Sequence, residues 1–530
     1  MKLSRIFAAV IIAAASAFGA NAQRAMNPIT KAMMDVYQQQ LLEDPKDYET
    51  YFRRANEYYN HDQYLRALSD VENAIRYTPA TDKDLLFQEY SLRGNIYYMN
   101  GKYAEALTDL NKALELDPTS YVTIYLIANT QYELGDLQNA RTTYRRLQRI
   151  NNRSAEALFG LARIAARENN LGLANDLSNE AVDLAPSSAD SYVRRAAVRK
   201  LMGSNQGAVE DLLVAISTDK SNPLAIAELV SLSNSDYTAV MNGLSAAIRT
   251  APNQPIFLYL RATIAMAHHR YQAALTDFQK IIDLNLYDYA GLHDSMALCH
   301  LALCHYPEAL QEANFAIGSA DDNSPYYVTR SRIRRAMGDD KLALESADMA
   351  VEQNNLNNEA LIQKAWCFTD AGKKKDAAAL LGEVVLNDDT NPYYLLTRAT
   401  LLSADNQRQG AQSVATDLLD LPSPSATDVK SLHGFALLLL DKPGEGVAWI
   451  EDVLAATPDN DGSLHYNAAC FYAHQGNLDR AFECMESALR NGYASLYDWK
   501  VNRDGLINVE PLRADPRFAD LMSKYDYLFL

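Results

Sequence analysis

Small residues recur along this chain in pairs twelve positions apart: Ala55/Ala67, Gly94/Ala106, Ala128/Ala140, Ala162/Ala174 and Ala196/Ala208. The series resumes at Ala262/Ala274, Ala297/Ala309, Ser331/Ala343, Ala365/Ala377, Ala399/Ala411, Gly434/Gly446 and Ala469/Ala481. Successive pairs step by 34 or 35 residues, with one step of 39. The interval of 66 from Ala196 to Ala262 accommodates one degenerate unit around 221–254, which makes thirteen units. A fixed period of this length predicts stacked supersecondary units. Two short antiparallel helices explain the spacing. Where they cross closely, only Gly, Ala or Ser leaves room for the opposing backbone, and larger residues such as Tyr90, Tyr97, Tyr103 and Leu110 fill the space on either side.

The punctuation agrees. Gly101, Gly135, Gly203, Gly338, Gly372 and Gly476 fall at the turn between the two helices, where a left-handed residue is cheap for glycine. Pro79, Pro118, Pro186, Pro252 and Pro458 fall just after a second helix, which proline cannot continue. The clearest unit runs from Tyr90 through Gly94, Tyr97, Tyr98, Gly101, Tyr103, Ala106, Leu110 and Ala113 to Pro118. This pattern resembles the tetratricopeptide-repeat family, of an exported bacterial type, over about residues 48–495. Tyr or Leu stands where the family often has Trp. The resemblance implies an all-α, right-handed superhelical solenoid of about thirteen helix-turn-helix repeats with terminal capping helices.

The expected organisation is a capping helix in 23–47 (Ile29 to Leu42, before Pro45), a repeat array over 48–421, a Pro/Ser linker at 422–426, further repeats over 427–495 and a C-terminal cap over 496–530. Solenoids need such caps because their end repeats expose apolar faces. In the tail, Leu512, Phe518 and Leu521 are expected to cover the last helix pair. Ser231–Asp236 replaces the usual turn in the degenerate unit and, like the linker, is a place where the array is expected to bend or split.

The N-terminus changes the compartment. Lys2 and Arg5, the apolar run Ile6 to Phe18, and Ala20-Asn21-Ala22 before Gln23 form the three parts of a signal peptide, expected over 1–22. Losing Lys2 and Arg5 with it takes the formal charge from −18 to about −20. That balance excludes nucleic acid and anionic lipid as main ligands, since both need clustered Lys and Arg. Five cysteines in an exported chain of this length make no disulfide framework; Cys470 and Cys484, on the two helices of one unit, are the candidate pair.

Arg and Asp sixteen residues apart recur as Arg54/Asp70, Arg93/Asp109, Arg195/Asp211 and Arg261/Asp277, which predicts an ion pair inside each unit, partly exposed and worth about 0–1 kcal/mol. In the first three units Asn56, Asn95 and Asn129 follow the small residue, and Tyr59, Tyr98 and Tyr132 lie three positions on, so each pair shares a helix face. The resemblance implies that this face lines a concave groove for peptides; there Asn can pair with an extended backbone and Tyr can stack. These six residues are the candidate partner-binding site. In the fourth unit Arg163 and Ala166 take their place. Phe52 stands where some family members carry a Lys that grips a terminal carboxylate, so the resemblance does not extend to that grip.

His293, His300 and Cys304, near one helical face, suggest a metal, but His300 falls at a packed position and Cys304 replaces a turn Gly, so packing is the expected role. No phosphate-loop, zinc-protease, nucleophile-elbow or dinucleotide motif occurs. The reading is a non-catalytic scaffold or adaptor in the cell envelope, periplasmic, binding protein or peptide partners without cofactor or metal. The alternatives are an assembly factor of an outer-membrane or secretion complex and, ranked below it, a metal-binding or enzymatic protein.

Overall fold

The computed structural model describes residues 28–61, 63–284, 289–320, 323–387, 391–421 and 427–529. The expected signal peptide and Pro/Ser linker lie outside them. Helix α1, Pro28–Glu43, is followed by thirteen helix pairs. Repeat 1 is α2 (Tyr48–Asn60) and α3 (Tyr64–Tyr77), repeat 2 α4 (Lys83–Met99) and α5 (Tyr103–Leu116), and repeat 3 α6 (Tyr121–Glu133) and α7 (Leu137–Ile150). Repeat 4 is α8 (Ala155–Arg167) and α9 (Leu171–Leu184), repeat 5 α10 (Ala189–Leu201) and α11 (Asn205–Thr218), and repeat 6 α12 (Pro223–Ser235) and α13 (Tyr237–Thr250). Repeats 7 to 10 are α14 (Pro255–Ala267) with α15 (Tyr271–Asp283), α16 (Ala290–Ala302) with α17 (Tyr306–Gly318), α18 (Ser324–Met337) with α19 (Asp340–Gln353), and α20 (Asn358–Asp370) with α21 (Lys374–Asn387). Repeats 11 to 13 are α22 (Pro392–Ala404) with α23 (Arg408–Asp420), α24 (Thr427–Leu439) with α25 (Pro443–Ala456), and α26 (Ser463–Gln475) with α27 (Leu478–Asn491). Short helices α28 (Leu496–Lys500) and α29 (Pro516–Lys524) close the chain. No described helix is long and apolar enough to cross a membrane.

The crossing residues behave as close packing demands. Ala55, Ala67, Ala128, Ala140, Ala162 and Ala174 are all fully buried. A Cβ on Gly94 would lie 2.8 Å from Leu110 Cγ, and one on Gly446 3.1 Å from the Gly434 carbonyl oxygen. The helices start on side-chain caps that take up otherwise unpaired amides: Asp47 accepts from the Thr50 N–H, Asp82 from Leu85 and Ser154 from Ala157. The six turn glycines all have φ between +71° and +90°. Asn169, His269, Cys304, Asn406 and Asp441 hold the same left-handed turn at φ 57° to 60°. Repeat 6 departs from this: Asp236 alone separates its helices, and no left-handed residue stands there.

The chain divides into two compact units between Leu232 and Ser233, inside α12. In the first, Arg54 ties the capping helix α1 to repeat 1 through Gln38, at 2.7 Å. In the second, Leu512 and Phe518 are buried in the same core as Ala481, Met485 and Trp499, with Leu521 packed at its edge.

Candidate functional site

The recurring Arg is the local device that sets helix register. Arg54, Arg93 and Arg261 each make two bonds of 2.6–2.9 Å to the Asp sixteen residues on, and Arg195 grips Asp211 in the same way. The four Asp side chains are only 2–7% exposed, so these are buried pairs and not the partly exposed ones expected from spacing. Each guanidinium except that of Arg93 also donates to a residue sixteen positions upstream: Gln38, Asn179 and Ser245. One Arg thereby joins its own two helices to the helix before them.

Beside these staples lies the face that carries the Asn–Tyr ladder. Asn56 Nδ2 donates to the Phe52 carbonyl at 2.9 Å, and Asn95 Nδ2 donates to the Tyr59 hydroxyl of the preceding repeat at 2.7 Å. Tyr59 packs on Tyr64 and Tyr98 on Tyr103, with centroids 5.8 and 5.6 Å apart. These four ladder residues are half-buried. Burial, with the nearby Glu133 charge, pushes the Tyr98 hydroxyl up to about 12, so it stays a neutral donor.

The third rung differs. Asn129 is 8% exposed and its oxygen accepts from Tyr144 at 2.6 Å. Tyr132 is 1% exposed, because the guanidinium groups of Arg163 and Arg167 lie 3.9 and 4.1 Å from its ring centroid. These two residues therefore back the face and do not project from it. Arg163, which stands in the ladder position of repeat 4, also bonds Glu133 at 2.6 Å. Tyr125 accepts from Arg194 at 2.6 Å. Arg167 is exposed, and no carboxylate pairs with it among the described residues. The sequence signal for the Arg–Tyr continuation is Arg163 at the ladder position, one repeat after the Tyr132 ring it covers.

In the second unit, first-helix residues and an interhelix turn carry another part of the chain. Gly492 receives a bond from Arg270 at 3.2 Å, Tyr493 packs on His269 at 4.0 Å, and Asp504 meets Arg335 at 2.9 Å. The cysteine–histidine segment sits behind this contact. His293 bonds Glu312 at 2.5 Å, Cys299 is fully buried, and burial lowers His300. Among the described residues no three His, Cys, Asp or Glu converge as a metal would need. All five cysteines are free thiols, Cys470 and Cys484 included.

Sequence profiles described as "Tetratricopeptide repeat" match residues 87–120, 125–189 and 462–491. "DnaJ homolog subfamily C member 3" from Gallus gallus is 22% identical over 346 residues, 59% of this chain and 66% of that protein, just under two thirds of its length. Among solved structures, yeast Tom70 is similar at 14% identity over 91% of this chain and 96% of its own, with a TM-score of 0.38. A tetratricopeptide repeat protein from Parabacteroides merdae is similar at 17% identity over 54% of this chain and 98% of its own, with a TM-score of 0.26. The family assignment rests on the sequence profiles and the helix pairs. Repeats 2, 3, 4 and 13 match the family directly, and twelve of the thirteen pairs share one small-residue crossing, so the chain is a tetratricopeptide-repeat protein.

Proposed function

We propose that this protein is a non-catalytic scaffold that receives an extended protein segment on the first-helix face of its first unit. The observation that carries this reading is the set formed by Asn56, the Asn95–Tyr59 rung and Tyr98 in the first two repeats and the exposed Arg167 in the fourth. It offers amide groups to a backbone, aromatic area, and a cation for a carboxylate. The side-chain bonds described along this face reach no further than from one repeat to the second next, as in Arg194 to Tyr125. Asn129 and Tyr132 act as the backing that positions Arg163 and Arg167. The envelope location is part of the same proposal and rests on Lys2, Arg5 and the Ala20-Asn21-Ala22 site; N-terminal sequencing of the mature protein should begin at Gln23.

The test is site-specific photo-crosslinking in the native host. A benzophenone amino acid replaces Tyr98, and in a control it replaces Thr108, which is exposed on the second helix. A discrete protein adduct at Tyr98, absent at Thr108 and reduced by Asn95→Ala with Arg167→Ala, is the expected result. Identical adducts at both positions, or adducts indifferent to the two substitutions, would remove the site.

A further inference from the structure

We infer that the first-helix face of repeats 8 to 10, together with the interhelix turn of repeat 7, is a recognition groove already occupied by the chain's own segment 492–505, which holds it shut against outside segments. A solenoid ordinarily puts each repeat in contact with its neighbours alone. Here Asn460 donates to the Asn234 carbonyl across 226 residues, Arg270 to Gly492 across 222, His269 bonds Ser463 across 194, and Arg503 meets Asp370 across 133.

The segment is read in order along the repeats. Gly492 lies on Arg270 of repeat 7, with φ +98°, and a Cβ there would fall 2.4 Å from the guanidinium. Tyr493 covers His269 of the same repeat. Tyr497 packs on the cluster of Leu301 and Ile333 from repeats 8 and 9. Asp504 pairs with Arg335 of repeat 9, which is 6% exposed and also bonds Asp370 at 2.7 Å. A Cβ on Gly505 would stand 3.4 Å from the Trp366 ring of repeat 10, an ordinary packing contact. Spaced aromatic anchors, a buried cation for a carboxylate, and glycine at the closest approach are what a groove needs to read a short segment. The segment stays joined to the C-terminal cap through Arg513, which donates to the Trp499 and Asn502 carbonyls at 2.9 and 2.5 Å. Opening therefore moves the cap away from repeats 7 to 10, and the ligand class is a segment with tyrosines in the register of 493 and 497 and a carboxylate in that of 504.

The experiment uses the full chain and a fluorescent synthetic peptide of residues 492–506. Asp504→Arg and, separately, Tyr497→Ala weaken the internal occupant, and circular dichroism checks that the helices survive. Peptide binding by anisotropy should be about tenfold or more tighter for both variants than for the unaltered chain, because a filled groove lowers apparent affinity by the fraction that is open. Hydrogen exchange should quicken at 366–370 in the variants and slow again with peptide. On the unaltered chain, amides of 501–507 should exchange through an opening that leaves α26 and α27 protected. The inference is overturned if unaltered chain and variants bind the peptide alike, if helical variants with quickened exchange bind none, or if 501–507 exchange as slowly as α26.

Discussion

Arg261→Met tests the staple most directly. Arg261 holds both oxygens of Asp277, at 2.7 and 2.6 Å, and reaches Ser245 at 2.8 Å. The Asp277 side chain is 7% exposed and forms no second ion pair among the described residues. An exposed pair would be worth about 0–1 kcal/mol. Here the substitution strands a buried carboxylate, which costs about 3–5 kcal/mol. Replacing both partners, Arg261→Met with Asp277→Leu, removes the stranded charge and should recover most of that loss, leaving a coupling energy of about 3 kcal/mol in the double-mutant cycle. All three tryptophans, Trp366, Trp449 and Trp499, lie in the second unit, as Arg261 does, so urea unfolding followed by tryptophan fluorescence reads that unit alone. Arg195→Met, followed by circular dichroism, is the internal comparison: Arg199 remains 3.0 Å from Asp211, so the cost should be smaller. A loss below about 1 kcal/mol for Arg261→Met, or a double variant as unstable as the two singles added together, would refute the stranded-charge reasoning.

Glu89 is fully buried; burial pushes it from 4.5 up to about 7, although Thr78 donates to it at 2.6 Å. Its folded value lies above its unfolded one, so the folded chain holds the proton more tightly, and stability in the first unit should fall by up to about 3 kcal/mol as pH rises from 4.5 to 7; Glu89→Gln should flatten that slope in urea titrations at several pH values. A Cβ on Gly160 would stand 2.2 Å from the Tyr144 ring, so Gly160→Ala should destabilise by about 1–3 kcal/mol and free the Tyr144–Asn129 bond, visible as a lowered melting temperature and new tyrosine environments by NMR. Because the five cysteines are free, with burial pushing Cys484 up to about 12, reductant should leave the unfolding midpoint unchanged, and a thiol reagent should react slowly until urea unfolds the chain.

The fold was legible because a close helix crossing imposes its small residues at a fixed interval, whatever surrounds them. Gly101 and its equivalents marked the turns for the same reason, and Cys304 was recognisable as a substitute at one of them. The Arg–Asp spacing showed its partners but not their burial, which an interval along the chain does not report. The site was legible only in part. Asn95 and Tyr98 are half-buried on one helix, while the burial of Asn129 and Tyr132 comes from Tyr144 on α7 and two arginines on α8, and no period relates those positions. The occupied face of the second unit left no signal at all, because segment 492–505 is mostly irregular and its partners lie more than a hundred residues away.

That closure also governs when each unit can form. In the first unit helix pairs can add one after another, each closing a loop about one repeat long. Joining Asn234 to Asn460 closes 226 residues, about 2 kcal/mol more costly in chain entropy than closing a single repeat. The face of repeats 7 to 10 is therefore covered only after residues 460–505 have been made, whereas each helix pair can close as soon as its own residues are present.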